Sequence, residues 1–223
     1  MTPFKEIGEA LISDSREGGR DYLLRPSLKA MVRIGTPEEI VEAYATVHRS
    51  EMIDLLQRCE RVSPRLLFWV ASLPELGAER LLTTAMRVVQ ACCEDDMTAI
   101  IGEWVGDDAG IRYEPGQLDR TDIITLAQHL MQHGISGKAK VRKLQRHENN
   151  ETATEFNAIE YITAARSHLD MPRDEAGELT MTEFQMMLAA KYPDQKGLTR
   201  EEYDSVTDDF LARQAARRAA AEN

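Results

Sequence analysis

His129 and His133 stand four residues apart in a segment with helical periodicity, and on one helical face two imidazoles would make half of a metal site. A third ligand is not apparent. Leu130 occupies the place of the glutamate that a zinc-protease helix needs after its first histidine, so the pair reads as imidazoles near a helix C-terminus and no metal is assigned. Asp194-Gln195-Lys196-Gly197 starts like a calcium loop, but Lys196 replaces an oxygen ligand and the bidentate glutamate is missing, so it reads as a turn. Asp95 and Asp96 are adjacent carboxylates suited in principle to acid or base work; with no partner to perturb them they read as a solvated pair. Cys59, Cys92 and Cys93 are the cysteines. Their odd number and the adjacent pair point to a reducing compartment and small buried thiols rather than a disulfide framework. There is no glycine-rich phosphate loop or nucleophile elbow, and Gly18-Gly19 falls in a polar stretch rather than between strand and helix. These residues yield no catalytic group and no cofactor site, and the chain reads as something other than an enzyme.

With 223 residues, 43% hydrophobic and 29% charged, the chain can bury a core without a staple. Aromatics are sparse at 6% and methionines number ten, so that core should be aliphatic and adaptable. A net charge of −11 argues against nucleic-acid binding, which needs a surplus of Lys and Arg to meet phosphates. No apolar run reaches the roughly 18 residues of a membrane span, and the N-terminus lacks a signal-like basic and apolar sequence.

The elements that would carry these side chains read as helices. Thr36-Pro37-Glu38-Glu39 is a capping box with proline at the first helical position, followed by Ile40, Ala43, Tyr44 and Val47 at helical spacing and extended by Met52, Leu55 and Leu56. A short helix precedes it from Pro26-Ser27 to Gly35. Ser63-Pro64 opens another through Val70, and Leu76 to Cys93 gives a further helical face. Met97 to Val105 is expected to add a helix, with a short extended piece around Ile111 to Gly116. Asp119 or Thr121 then caps a helix carrying Ile123, Ala127, Leu130 and Met131, which Gly134 ends. The stretch from Ser13 to Leu24 is ambiguous.

Residues 138–146 hold five positive charges and no acid, beside the polar run 147–151, and read as a solvated linker. Lys and Arg number 14 against 22 Asp and Glu in residues 1–137, but 13 against 16 in residues 138–223, so the acidity lies mainly in the first part. Beyond the linker, Phe156, Ile159, Ile162 and Ala165 make a stripe. Thr180-Met181-Thr182-Glu183 and Thr199-Arg200-Glu201-Glu202 are two more capping boxes, and the Arg-Ala tail has little to bury. No sustained alternation predicts a sheet. The expected fold is therefore all-α: a bundle-like helical N-terminal domain over residues 1–137, a basic and polar linker over 138–152, and a smaller helical C-terminal domain over 153–223.

Pro26-Ser27-Leu28-Lys29-Ala30-Met31 with Ile34-Gly35-Thr36-Pro37-Glu38-Glu39-Ile40-Val41, and then Ala165-Arg166-Ser167-His168-Leu169 with Thr180, Glu183-Phe184 and Ala190-Lys191-Tyr192-Pro193, resemble the tail assembly chaperones of long-tailed bacteriophages. The resemblance spans most of the chain and rests on helix-boundary patterns. It implies a helical domain that coats the tape-measure protein and keeps it soluble, and a C-terminal extension that recruits tail-tube subunits. It also implies action in the host cytoplasm, absence from the mature virion, and an extension produced by a frameshift near Gly137-Lys138. Self-association is left open, and neither nucleic acid nor membrane is an expected partner. Partner contacts are placed, from the character of the second and third capping boxes, at Phe184, Met187, Tyr192, Tyr203 and Phe210. The alternatives are a structural or connector protein retained in the virion, and a metal-dependent regulatory enzyme using His129 and His133.

Overall fold

A short 3-10 turn and a β-hairpin precede the first α-helix. The computed structural model describes residues 3–16, 18–48, 75–107, 110–139 and 154–192. A single 3-10 turn, Lys5–Ile7, is closed by Gly8 at a φ of 93°, and strand β1 (Ala10–Ser13) then pairs antiparallel with β2 (Asp21–Leu24). Tyr22 and Leu24 point into the core while Asp21 faces solvent, so a period of two is present over a run too short to be conspicuous.

Helix α1 (Leu28–Ile34) begins where Ser27 Oγ accepts the Ala30 N–H at 3.1 Å. It buries Leu28, Ala30, Met31 and Ile34 and lies at the centre of the molecule, against helices from both ends of the described chain. Each of its large side chains contributes about 1.5–3 kcal/mol by leaving water. The expected capping box opens α2 (Pro37–Val47): the Thr36 N–H donates to Glu39 Oε2 at 2.8 Å and the Glu39 N–H returns to Thr36 Oγ1 at 3.4 Å. Ile40, Ala43 and Val47 face inward, as their spacing predicts. The continuation through Met52, Leu55 and Leu56 and the helix expected from Ser63-Pro64 lie outside the described residues.

Helix α3 (Glu75–Ala91) buries Leu81, Leu82, Ala85, Met86, Val88 and Val89, with Cys92 and Cys93 buried as free thiols just beyond it. Burial pushes the Cys92 thiol up to about 12, so it stays protonated and behaves as a small hydrophobe.

The all-α expectation is corrected here. The helix foreseen from Met97 to Val105 lasts one turn, α4 (Thr98–Ile101), before Gly102 at a φ of 80° turns the chain into β3 (Glu103–Asp107), which pairs antiparallel with β4 (Gly110–Glu114). With β1–β2 this makes two two-stranded antiparallel sheets among the described residues, and the fold is mixed α and β. Sterics decide the switch: a side chain at position 102 would run into the backbone of Glu114 and Gly116, so only glycine lets the hairpin fold back. Trp104 then packs across on Tyr113 with ring centres 5.5 Å apart, a cross-strand pair that a helix could not make.

Helix α5 (Arg120–Met131) starts at Asp119, whose backbone is extended but whose side chain makes no capping bond. Instead of stopping at Gly134 it widens into a π-helical turn, Gln132–Ser136, that Gly137 ends at a φ of 69°. The later helices are α6 (Ala158–Leu169), α7 (Arg173–Glu178) and α8 (Met181–Lys191). The second capping box forms as expected, with the Thr180 N–H to Glu183 Oε2 at 2.9 Å and the Glu183 N–H to Thr180 Oγ1 at 3.2 Å. The third, at Thr199, lies outside the described residues.

Chain separated by more than a hundred residues meets at α1. Ser27 and Thr180 form an antiparallel bridge, the Leu28 N–H donates to the Leu179 carbonyl at 2.8 Å, and the Phe156 N–H donates to the Pro37 carbonyl at 3.0 Å. Residues 154–191 thus share one core with residues 3–139, within a compact unit that runs to Lys191. Of the linker expected at 138–152, only Lys138 and Ala139 are described.

Candidate functional site

A gathering of titratable side chains lies where the π turn, the N-terminal segment and the start of α8 converge. Helical spacing on α5 brings His129 and His133 together with ring centres 4.8 Å apart. His133 is 2% exposed, with Nδ1 2.9 Å from Thr182 Oγ1, and the same hydroxyl oxygen accepts the Lys138 N–H at 3.1 Å. Thr182 is equally buried, so its hydroxyl joins the His133 ring to the chain that leaves the π turn.

Burial, with the neighbouring His129 and Lys138 adding to it, lowers His133 to about 4 and keeps it neutral at ordinary pH. Burial and Lys138 lower His129 as well, opposed by the hydrogen bond its ring makes to the Gly8 carbonyl. A neutral pair can ligate a metal, but among the described residues no third His, Cys, Asp or Glu completes a site with them.

Beside the histidines lies a charged knot. The Glu9 side chain is 1% exposed and is held by Arg25 Nη1 and by the Phe4 N–H, the latter at 2.9 Å. Arg25 also grips Glu183 through Nη2, at 2.8 and 3.0 Å to its two oxygens, and donates from Nε to the Glu178 carbonyl at 2.7 Å. One guanidinium thus ties the N-terminal segment to the capping box of α8. The geometry of these groups is that of a junction between elements.

The groove between α2 and α3 is lined by Glu39, Glu42, Thr46, Arg80, Thr83 and Arg87. Glu42 and Arg80 pair at 2.6 Å but stay more than half exposed, so they contribute little. Asp96 serves the chain turn, accepting from the Thr98 N–H and hydroxyl, and these bonds hold its carboxyl below the usual range. Asp95 faces Arg20 at 3.5 Å on the surface.

The expected partner contacts separate. Phe184 is buried, set edge-on at 5.8 Å to Tyr161, which stacks on Phe156. Met187 is 39% exposed and Tyr192 54% exposed; Tyr203 and Phe210 lie outside the described residues, as does the Asp194 turn. Sequence reasoning passed over Met186, 52% exposed on α8, and Ile159, 61% exposed on α6. The composition of α8 carried a signal: Met181, Phe184 and Leu188 supply an inner face, so Met186 and Met187 are surplus to it.

No helix among the described residues is long and apolar enough to cross a membrane. No curated protein and no solved structure matches the chain significantly. A family described as a family of unknown function, DUF6246, matches residues 24–205, which is most of the chain, and the chain belongs to that family.

Proposed function

We propose that this protein works by binding another polypeptide, as a tail assembly chaperone that keeps a tape-measure protein soluble and helps recruit tail-tube subunits in the host cytoplasm. The observation that carries the reading is α8, which meets the core with one face and leaves Met186 and Met187 in solvent on another. Exposed methionines are unbranched and polarizable and suit a surface that must accept varied helical stripes. The acidic exterior keeps such a complex dissolved. A second support is that the two separated blocks carrying the resemblance, residues 26–41 and 165–193, include segments that meet at Ser27–Thr180 and Leu28–Leu179.

The test is co-expression with a phage tape-measure protein, a long helical client. The helical protein should stay soluble and co-purify with the wild-type chain, and aggregate without it. A Met186→Ser, Met187→Ser double variant should keep its fold and lose most of that capture. Equal solubility of the client with and without this chain would overturn the proposal. Mass spectrometry of purified particles separates the chaperone, which should be absent, from a retained connector. A frameshifted extension at Gly137-Lys138 is left out of this reading, because residues 156–184 complete the core around α1 and a product ending at Gly137 would leave that core uncovered.

A further inference from the structure

Residues 3–13 are attached in an unusual way. None of the side chains of the Lys5–Ile7 turn is buried, and the residues of β1 are all at least partly exposed, with Ala10 and Ile12 half-buried against the core. A two-stranded hairpin is marginal by itself. The deeply buried side chain of the segment is a charged one, Glu9. By contrast, β2 is anchored by Tyr22 and Leu24; the family match begins at residue 24, so this arm and β2 up to Leu23 lie outside it.

Opening the arm breaks the bond between the His129 ring and the Gly8 carbonyl but strands no charge. Arg25 keeps its bidentate pairing with Glu183 and its bond to the Glu178 carbonyl, while Glu9 passes into water. What opens is the strand edge of β2, with Arg25 Nη1 beside it. We propose that residues 3–13 are a removable arm, and that the edge of β2 with Arg25 is a docking site for an extended polypeptide segment carrying a carboxylate, which the arm fills in cis. Backbone bonds to β2 would give such a segment its affinity and the carboxylate on Arg25 its register. The guanidinium makes the charge of the ligand specific: a neutral or basic segment would lose the ion pair that places Glu9.

The test uses the full chain with Glu9→Ala and, as a milder change, Glu9→Gln. Amide hydrogen exchange over residues 3–13 should quicken roughly a hundredfold in Glu9→Ala, while residues 28–47 and 158–169 keep their wild-type protection. A synthetic peptide of residues 3–13 should bind the Glu9→Ala chain, and the same peptide carrying Glu9→Ala should bind at least about tenfold more weakly. Unchanged exchange in the arm, or a rise spread through the whole chain in both variants, would show that the arm is an integral part of the core and overturn the first half. Equal binding of the two peptides, or none of either, would overturn the second.

Discussion

Helices α2 and α8 open with the same device and meet different ends. Each begins with a threonine and a glutamate exchanging bonds with each other's backbone, and each runs for eleven residues. In α2 the buried residues Ile40, Ala43 and Val47 keep to one side, Val41 and Tyr44 flank them half-buried, and Glu38, Glu39 and Glu42 take outer positions. In α8 the apolar residues go round the helix, and the core takes Met181, Phe184 and part of Leu188 while Met186 and Met187 remain outside. A cap says where a helix begins; the distribution of apolar side chains around it says whether anything is left over for a partner.

That contrast can be broken most severely by cutting the chain after Gly137. Loss of α6, α7 and α8 would uncover Leu28 and the rest of the inner face of α1, and the shortened chain should lose its cooperative thermal transition and aggregate, as read by calorimetry and light scattering. A truncated chain with a sharp transition near that of the full length would show that α8 is an appendage.

A finer cut is Phe184→Ala, which should cost about 3–5 kcal/mol in denaturant unfolding, whereas Met186→Ser on the same helix should stay within about 0.5 kcal/mol. Equal losses at the two positions would abolish the division of α8 into a core face and a free face.

The junction that α8 makes with the π turn should be sensitive to acid. His133 sits at about 4 when folded, below the ordinary histidine value, so the unfolded chain takes up its proton first. The stability it provides is whole above about pH 6.5 and drains away as pH falls toward 4, by on the order of 2 kcal/mol. Urea midpoints across that range should fall with acid in the wild type and more gently in His133→Asn.

Last come the caps themselves. Thr36→Ala should cost about 1 kcal/mol, and Thr180→Ala should cost more, because Glu183 also holds Arg25. Identical losses would mean that the charged knot adds nothing to the second cap.

Much of this architecture is local and was legible. Ser27, Thr36 and Thr180 start helices where the sequence predicts them, because a cap needs only residues within one turn of each other. The extended piece expected around Ile111 falls on β4, but the pairing of both hairpins was missed for the complementary reason: strands of four and five residues give too few alternations to be read, and the cross-strand pairs Ala10–Leu24 and Trp104–Tyr113 that hold them are not neighbours in sequence. Phe184 and Met187 look equally eligible as contacts in the sequence, three residues apart on one helix. Only the presence of Tyr161 against one side decides which of them is core.

The amino-acid sequence by itself determined the helix starts at Ser27, Thr36 and Thr180 and the acidic net charge, since each depends on composition or on contacts within a turn. The tertiary structure alone decided that Arg25 ties Glu9 to Glu183, that His133 is buried and neutral against Thr182, and that Met186 stays in water. Those outcomes depend on which distant surfaces meet, and burial and charge pairing acquire their energies only when they do.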